Sequence, residues 1–199
     1  MSAGEPTRKT LGLDVSAVQA ALGAAGSGAD AWLLYDFRGQ NALAADLLGV
    51  GLGGGHMATR RWFYLVPARG VPRKLVHAIE PETLAHLPGD TTRYASRGEL
   101  EAGLARVLEG VGRVAMEYSP GAAIPYVSRV DAGTIELVRA AGPAVVSSGD
   151  LLQRFASVWD ERAIASHRAA SEKLYRVKDR AFEAIGRRVR EGVPTTEYH

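Results

Sequence analysis

An α/β fold built on a mixed sheet is what this chain predicts, and three observations predict it. Short apolar runs of strand length alternate with segments whose apolar residues recur at helical spacing. Two of those runs are separated by little more than a Pro72 turn, which places an antiparallel hairpin among otherwise parallel strands. At 199 residues and 46% hydrophobic, the chain has enough apolar material for one substantial core.

The elements follow in order. Residues 1–10 are polar, and Asp14 can cap a helix over 15–24 with Val15, Val18 and Leu22 on its buried side. Gly26, Ser27 and Gly28 end it. The run Ala-Trp-Leu-Leu-Tyr over 31–35 has no polar alternation, as expected of a strand buried on both faces. A short helix over 41–48 leads into a glycine-rich stretch over 49–55. Strands are expected over 61–67 and 74–79, a short helix over 82–87, and a weak strand over 93–95. Ser96 caps a helix reaching about 109, with Leu100, Leu104, Val107 and Leu108 on one face. A strand over 114–117 runs into a loop holding Pro120 and Pro125, and Asp131 caps the next helix, which Gly142 terminates. A strand over 144–146 and a helix over 150–158 complete the α/β part, taken as residues 1–158.

From Asp160 the pattern changes. Residues 160–191 hold no proline and one glycine, with apolar positions at Ile164, Leu174, Val177, Ala181, Ile185 and Val189. They predict one amphipathic helix about 48 Å long at 1.5 Å per residue. That is longer than the preceding sheet could cover, so much of its apolar stripe should face another subunit or a following domain. Pro194, Thr195, Thr196 and Glu197 look like the N-terminus of a further helix. Residues 159–199 therefore read as a linking helix and the truncated start of another domain.

The net charge of +2 matters less than its placement. Residues 160–191 carry nine Lys/Arg against six Asp/Glu, so the basic excess sits on the long helix. No basic face interleaved with aromatics appears in the α/β part, which argues against nucleic acid. No cysteine is present, so disulfide and thiolate chemistry are excluded. No apolar stretch approaches the roughly 18 residues of a membrane span. A soluble, cytoplasmic protein is the expectation.

Gly49, Gly51 and Gly54 satisfy G-x-G-x-x-G, but they follow a helical stretch and precede a strand, the reverse of a dinucleotide site. His56, His77, His86, His167 and His199 form no metal-ligand spacing, and no nucleophile elbow or P-loop occurs. Catalytic residues and metal ligands are thus expected to be absent from this chain. Two groups remain as candidates for a substrate entrance. Arg60, Arg61, Trp62 and Tyr64 bring cationic and aromatic groups together, and an arginine there could pair with a carboxylate of substrate or partner. Glu117, Tyr118 and Arg129 flank the proline loop, whose two prolines stiffen it. For the arginines, a solvated sheet edge stays open as the alternative.

Several strings together resemble the N-terminal domain of creatinase/prolidase-type metallopeptidases. They are Trp32-Leu-Leu-Tyr-Asp36 with Asn41, Arg60-Arg-Trp-Phe-Tyr64, Lys74-Leu-Val-His77 with Glu80, and the string over 116–134. Val145-Val-Ser-Ser148 with Asp150-Leu-Leu-Gln-Arg-Phe155, and Glu191-Gly192 leading to Thr196-Glu-Tyr198, extend the likeness over nearly the whole chain. The resemblance implies a ribonuclease-H-like mixed sheet that helps form a homodimer and shapes the entrance for a peptide cut before proline. It implies a C-terminal pita-bread domain holding two divalent metals (manganese, cobalt or zinc) on two Asp, one His and two Glu. All five of those ligands would lie beyond His199, so none is carried onto a residue here. A stand-alone α/β module binding a small ligand at the glycine and proline loops is the other reading.

Overall fold

The computed structural model describes residues 12–24, 28–50, 58–194 and 196, which divide into two compact units, Met1–Ser157 and Val158–His199. Among the described residues, the first holds six strands: β1 (Ala31–Asp36), β2 (Trp62–Pro67), β3 (Arg73–His77), β4 (Asp90–Tyr94), β5 (Arg113–Met116) and β6 (Ala144–Ser147). Five helices accompany them: α1 (Val15–Gly23), α2 (Ala42–Leu48), α3 (Arg97–Val107), α4 (Ala132–Ala140) and α5 (Gly149–Ala156).

The strands pair in the order β4-β3-β2-β1-β5-β6. β2 runs antiparallel to both β1 and β3, whereas β1–β5, β5–β6 and β3–β4 are parallel. The hairpin expected around Pro72 is thus the β2–β3 pair, and the mixed α/β sheet is as the sequence predicts. Every residue of β1 and of β2 is buried. These two strands lie mid-sheet with helices over both faces, which is why neither alternates in polarity.

Pleating sends alternate residues to opposite faces. Trp32, Leu34, Trp62, Tyr64 and Val76 meet Val18 and Leu22 of α1, Leu47 and Leu48 of α2, and Leu152 of α5. Leu33, Tyr35, Phe63, Leu65 and Leu75 meet Leu100 and Leu104 of α3, and Ile135 and Val138 of α4. The caps read from the sequence do their work. Asp14, Ser96 and Asp131 each accept from the backbone N–H three residues on, at 3.1, 3.2 and 2.8 Å.

Two expectations are adjusted. Residues 81–87 form consecutive turns instead of a helix, because the Lys74 ammonium captures the Leu84 and Leu87 carbonyls at 3.4 and 2.8 Å and Pro88 blocks continuation. The weak strand is the longer β4, registered against β3 from Arg73↔Asp90 to His77↔Tyr94. The helix start expected around residues 194–199 falls largely outside the described residues.

The second unit is α6 (Glu161–Arg190). Asp160 caps it through the Ala163 N–H at 2.8 Å, and Gly192 closes it at φ 68° while Val193 N–H reaches the Arg188 carbonyl at 2.9 Å. Leu174, Val177, Phe182, Ile185 and Val189 are exposed. No helix among the described residues is long and apolar enough to cross a membrane.

Gly89 fixes the entry to β4. Its φ is +117°, and a Cβ there would overlap the Pro72 carbonyl that accepts from Asp90 N–H at 3.0 Å. Gly89→Ala is expected to cost about 3 kcal/mol or more, read from the urea unfolding midpoint.

Candidate functional site

The C-terminal ends of β1, β5 and β6 converge on one carboxylate. β5 ends at Met116, and the next residue, Glu117, is fully buried on the α2/α5 side of the sheet. Its Oε1 accepts from Trp32 Nε1 at 2.8 Å and from Ser148 Oγ at 3.1 Å, and its Oε2 accepts from Asn41 Nδ2 at 2.8 Å. Asn41 also caps α2 through its Oδ1, and its Nδ2 bonds the Tyr35 carbonyl at 2.8 Å. Burial pushes the Glu117 carboxyl above its ordinary range, against the pull of those three donors.

The backbone of Glu117 closes the proline loop. Its carbonyl accepts from Arg129 N–H at 2.9 Å and Val130 N–H at 3.1 Å, so the loop leaves and returns at one residue. Inside, Pro120 and Pro125 open two short 3₁₀ turns, and Ser119 Oγ holds Ile124 N–H at 2.8 Å. Ile124 and Tyr126 stand exposed, the latter at 81%. With Leu43, Val127 and Leu152 they line a cleft of about 520 Å³. This is the strand end at which α/β sheets bind ligands. A cleft of about 580 Å³ lies at the opposite end, but there Arg73 is engaged by the Val107 and Glu109 carbonyls and Asp30 by two backbone N–H groups. The chemistry favours the proline-loop end.

A second polar group forms on the α3/α4 face. Tyr35 Oη donates to Asp131 Oδ2 at 3.2 Å, and Tyr94 Oη donates to the Arg61 carbonyl at 2.8 Å. The Arg61 guanidinium lies 5.4 Å from the Phe37 ring centroid. Burial raises the Tyr35 phenol, and it pushes Tyr94 up to about 12. Burial would raise Asp131 too, but the hydroxyl and N–H of Thr134 and the Tyr35 hydroxyl outweigh it and hold the carboxyl low. Glu80 behaves likewise: bonds from the Thr59 hydroxyl and the Thr59 and Arg60 N–H groups overcome burial.

These contacts sort the sequence candidates. Arg60 and Arg61 sit at the start of β2, Arg60 exposed and Arg61 half-buried. Trp62 and Tyr64, by contrast, point into the core; Tyr64 Oη donates to the Pro88 carbonyl at 3.1 Å, and Trp62 Nε1 is buried with no partner among the described residues. Glu117 is the internal tie just described. Tyr118 is half-buried beneath Arg139, whose Nη2 donates to its hydroxyl at 3.3 Å, and Arg129 is exposed where the loop returns. Only Arg60, Arg61, Tyr118 and Arg129 keep surface that an incoming molecule could touch. Gly49 is the left-handed cap of α2, and the remainder of the glycine motif falls at residues 51–57, outside the described residues. Nothing local marks Trp32, Asn41 and Ser148 as partners of Glu117, because they lie 85, 76 and 31 positions away.

Several solved structures share this fold. A creatinase/prolidase N-terminal domain of an X-Pro dipeptidase from Streptococcus pyogenes superposes with TM-score 0.51 at 13% identity, over 70% of this chain and 95% of that one. A proline dipeptidase from Streptococcus pneumoniae gives 0.55 at 14%, over 74% and 99%. The fold is that of creatinase/prolidase N-terminal domains. A dipeptidase from Pyrococcus horikoshii matches with 0.53 at 19%, over 86% of this chain but 43% of its own, so the chain spans less than half of that enzyme. No protein-family model and no curated protein matches the sequence. Within this creatinase/prolidase N-terminal fold, Glu117 marks where β5 hands over to the proline loop.

Replacing Glu117 by Leu strands three buried donors and is expected to cost about 3–5 kcal/mol in urea unfolding. The pH dependence has a definite sign. Because the folded carboxyl titrates above the unfolded one, its contribution is complete below the unfolded pKa and is lost as pH rises through the folded pKa. Relative to Glu117→Gln, the wild type should therefore gain stability on acidification through the carboxylate range. Asp131 and Glu80 are common to both proteins and cancel in the difference; a drift of the opposite sign would show that the three donors outweigh burial.

Proposed function

We propose that this chain is the non-catalytic N-terminal domain of a Xaa-Pro aminopeptidase- or dipeptidase-like metallopeptidase, contributing to a homodimer and to the substrate entrance. The parent would cut the bond before proline with two divalent metals, manganese, cobalt or zinc, held by a downstream domain. Those metals would polarise the scissile carbonyl and activate a bridging water. One observation carries the reading: the fold covers nearly the full length of solved N-terminal domains of X-Pro dipeptidases while spanning under half of a whole dipeptidase. A second supports it. The carboxylates nearest the strand ends, Asp36, Glu117 and Asp131, already accept from the protein's own donors. Among the described residues no three His, Asp or Glu side chains gather as a metal site. A cytoplasmic home fits the cysteine-free sequence.

The cleft beside Ile124 and Tyr126 favours one alternative, a stand-alone module binding a small apolar ligand. The coding sequence beyond His199 separates the two: an Asp, Asp, His, Glu, Glu set on a β-rich domain supports the first, and a stop codon the second.

The purified chain, given manganese or cobalt and Ala-Pro, is expected to show no metal-dependent release of proline; turnover above the metal-free background refutes the non-catalytic assignment. The apolar residues on α6 are expected to drive concentration-dependent dimerisation in sedimentation equilibrium, lost in Leu174→Glu/Phe182→Glu. A wild-type chain that stays monomeric at its highest attainable concentration counts against it.

A further inference from the structure

Three carboxylates at the strand ends are committed to the fold. Asp36 accepts from Gly39 N–H at 2.8 Å and Asn41 N–H at 2.7 Å, and Glu117 and Asp131 each accept from two or more donors. Asp150 differs from them. It is exposed in the first turn of α5, and its side chain forms no hydrogen bond or ion pair with another described residue. It also lines the cleft of about 520 Å³, where Leu43, Val127, Leu152 and Ala156 make the walls largely apolar. No other described residue of that lining is charged.

Tyr126 lines the same cleft and stands apart from the other aromatic side chains of this unit, all of which are buried or packed against its core. It has no hydrogen-bond or ring partner among the described residues. The loop nevertheless holds its backbone firmly. Pro125 precedes it in a 3₁₀ turn, Ser128 N–H reaches the Pro125 carbonyl at 3.1 Å, and Ser119 Oγ holds Ile124 N–H at 2.8 Å. Ala122 sits at φ +55°, a conformation unfavourable for a residue with a side chain. Showing an aromatic ring to water on such a loop brings the fold no burial. It does reduce the entropy lost when a ligand lands on it.

An apolar cleft with one aromatic ring and one unneutralised carboxylate matches a particular ligand chemistry. A neutral apolar molecule would take water from Asp150 and give nothing back, and an anion would be repelled by it. A cation with an apolar body satisfies walls, ring and carboxylate together. We infer that this cleft binds a small organic cation, an apolar body carrying one ammonium, with the body against Leu43, Val127 and Leu152 and the ammonium at Asp150 and the Tyr126 ring. The inference rests on reading the cleft as a ligand site, and it adds the charge recognised. Every residue it uses lies within the first unit, so no other domain is needed to test it.

The test is ¹H–¹⁵N NMR of the full chain at neutral pH, titrated with 2-phenylethylamine, with its neutral counterpart 2-phenylethanol, and with methylamine, which has the charge but little apolar body. The amine should shift backbone amides over residues 124–128 and 149–157. The alcohol should bind about fivefold more weakly, the combined worth of an exposed ion pair and a cation–π contact. Methylamine should bind about tenfold more weakly for want of apolar area. Added salt should weaken the amine and spare the alcohol. Asp150→Asn should bring the amine to the affinity of the alcohol, Tyr126→Ala should weaken it, and Tyr126→Phe, which keeps the ring, should restore it. Both residues are exposed, so these variants should keep the wild-type spectrum elsewhere. Glu136→Gln, on the opposite face of the sheet, should change nothing. An alcohol that binds as tightly as the amine overturns the inference and leaves a cleft for neutral ligands. If neither shifts these residues at tens of millimolar (about the weakest binding of interest), the cleft falls as a ligand site altogether. An unchanged preference for the amine in Asp150→Asn also overturns the inference.

Discussion

The arrangement of this domain depends on one buried carboxylate. Glu117 receives Trp32 from β1, Asn41 from the cap of α2 and Ser148 from the junction of β6 and α5, while its backbone closes the proline loop. A charge at such depth carries a desolvation cost of several kcal/mol, and the direction of its titration shows that burial is not fully offset. Three apolar residues of similar volume could hold the core as firmly. What they could not do is set direction: each donor meets the carboxylate at one angle, and those angles fix how three strand ends, two helix starts and one loop meet.

The same edge has an uneven distribution of hydrogen-bonding capacity. Its acidic groups have been turned inward to organise backbone: Asp36 for the β1–α2 turn, Asp131 for α4, Glu80 for residues 59–60. To ligate a cation, any of them would have to use oxygens that already hold parts of the fold. Arg61 is seated over the Phe37 ring, and its backbone carbonyl is held by the Tyr94 hydroxyl. The edge's own negative charge therefore keeps it in shape.

Much of this was legible in the sequence, and the limits have physical causes. The uninterrupted run at 31–35 identified a doubly covered strand, and Asp14, Ser96 and Asp131 announced helix starts because a cap needs only its own next three residues. Residues 81–87 misled, since their local preference is helical and the Lys74 ammonium that captures their carbonyls comes from a neighbouring strand. Trp62 and Tyr64 looked available beside two arginines. In a strand covered on both faces alternation carries no signal, so nothing local marks them as core. Glu117 was noticed for its place at a strand end, but its inward turn depends on partners distant in sequence.

The second unit follows a different logic. α6 supplies its own termini: Asp160 and Glu161 at the positive end of the helix dipole, and Arg187, Arg188 and Arg190 at the negative end. At 30 residues it is long enough for hydrogen bonding to propagate past the costly first turn. Length and capping favour its formation, and Leu174, Val177, Phe182, Ile185 and Val189 are exposed as contact surface. The α/β unit, with two filled core layers, is complete as a folded body. Burial organises the first unit, and length and capping the second.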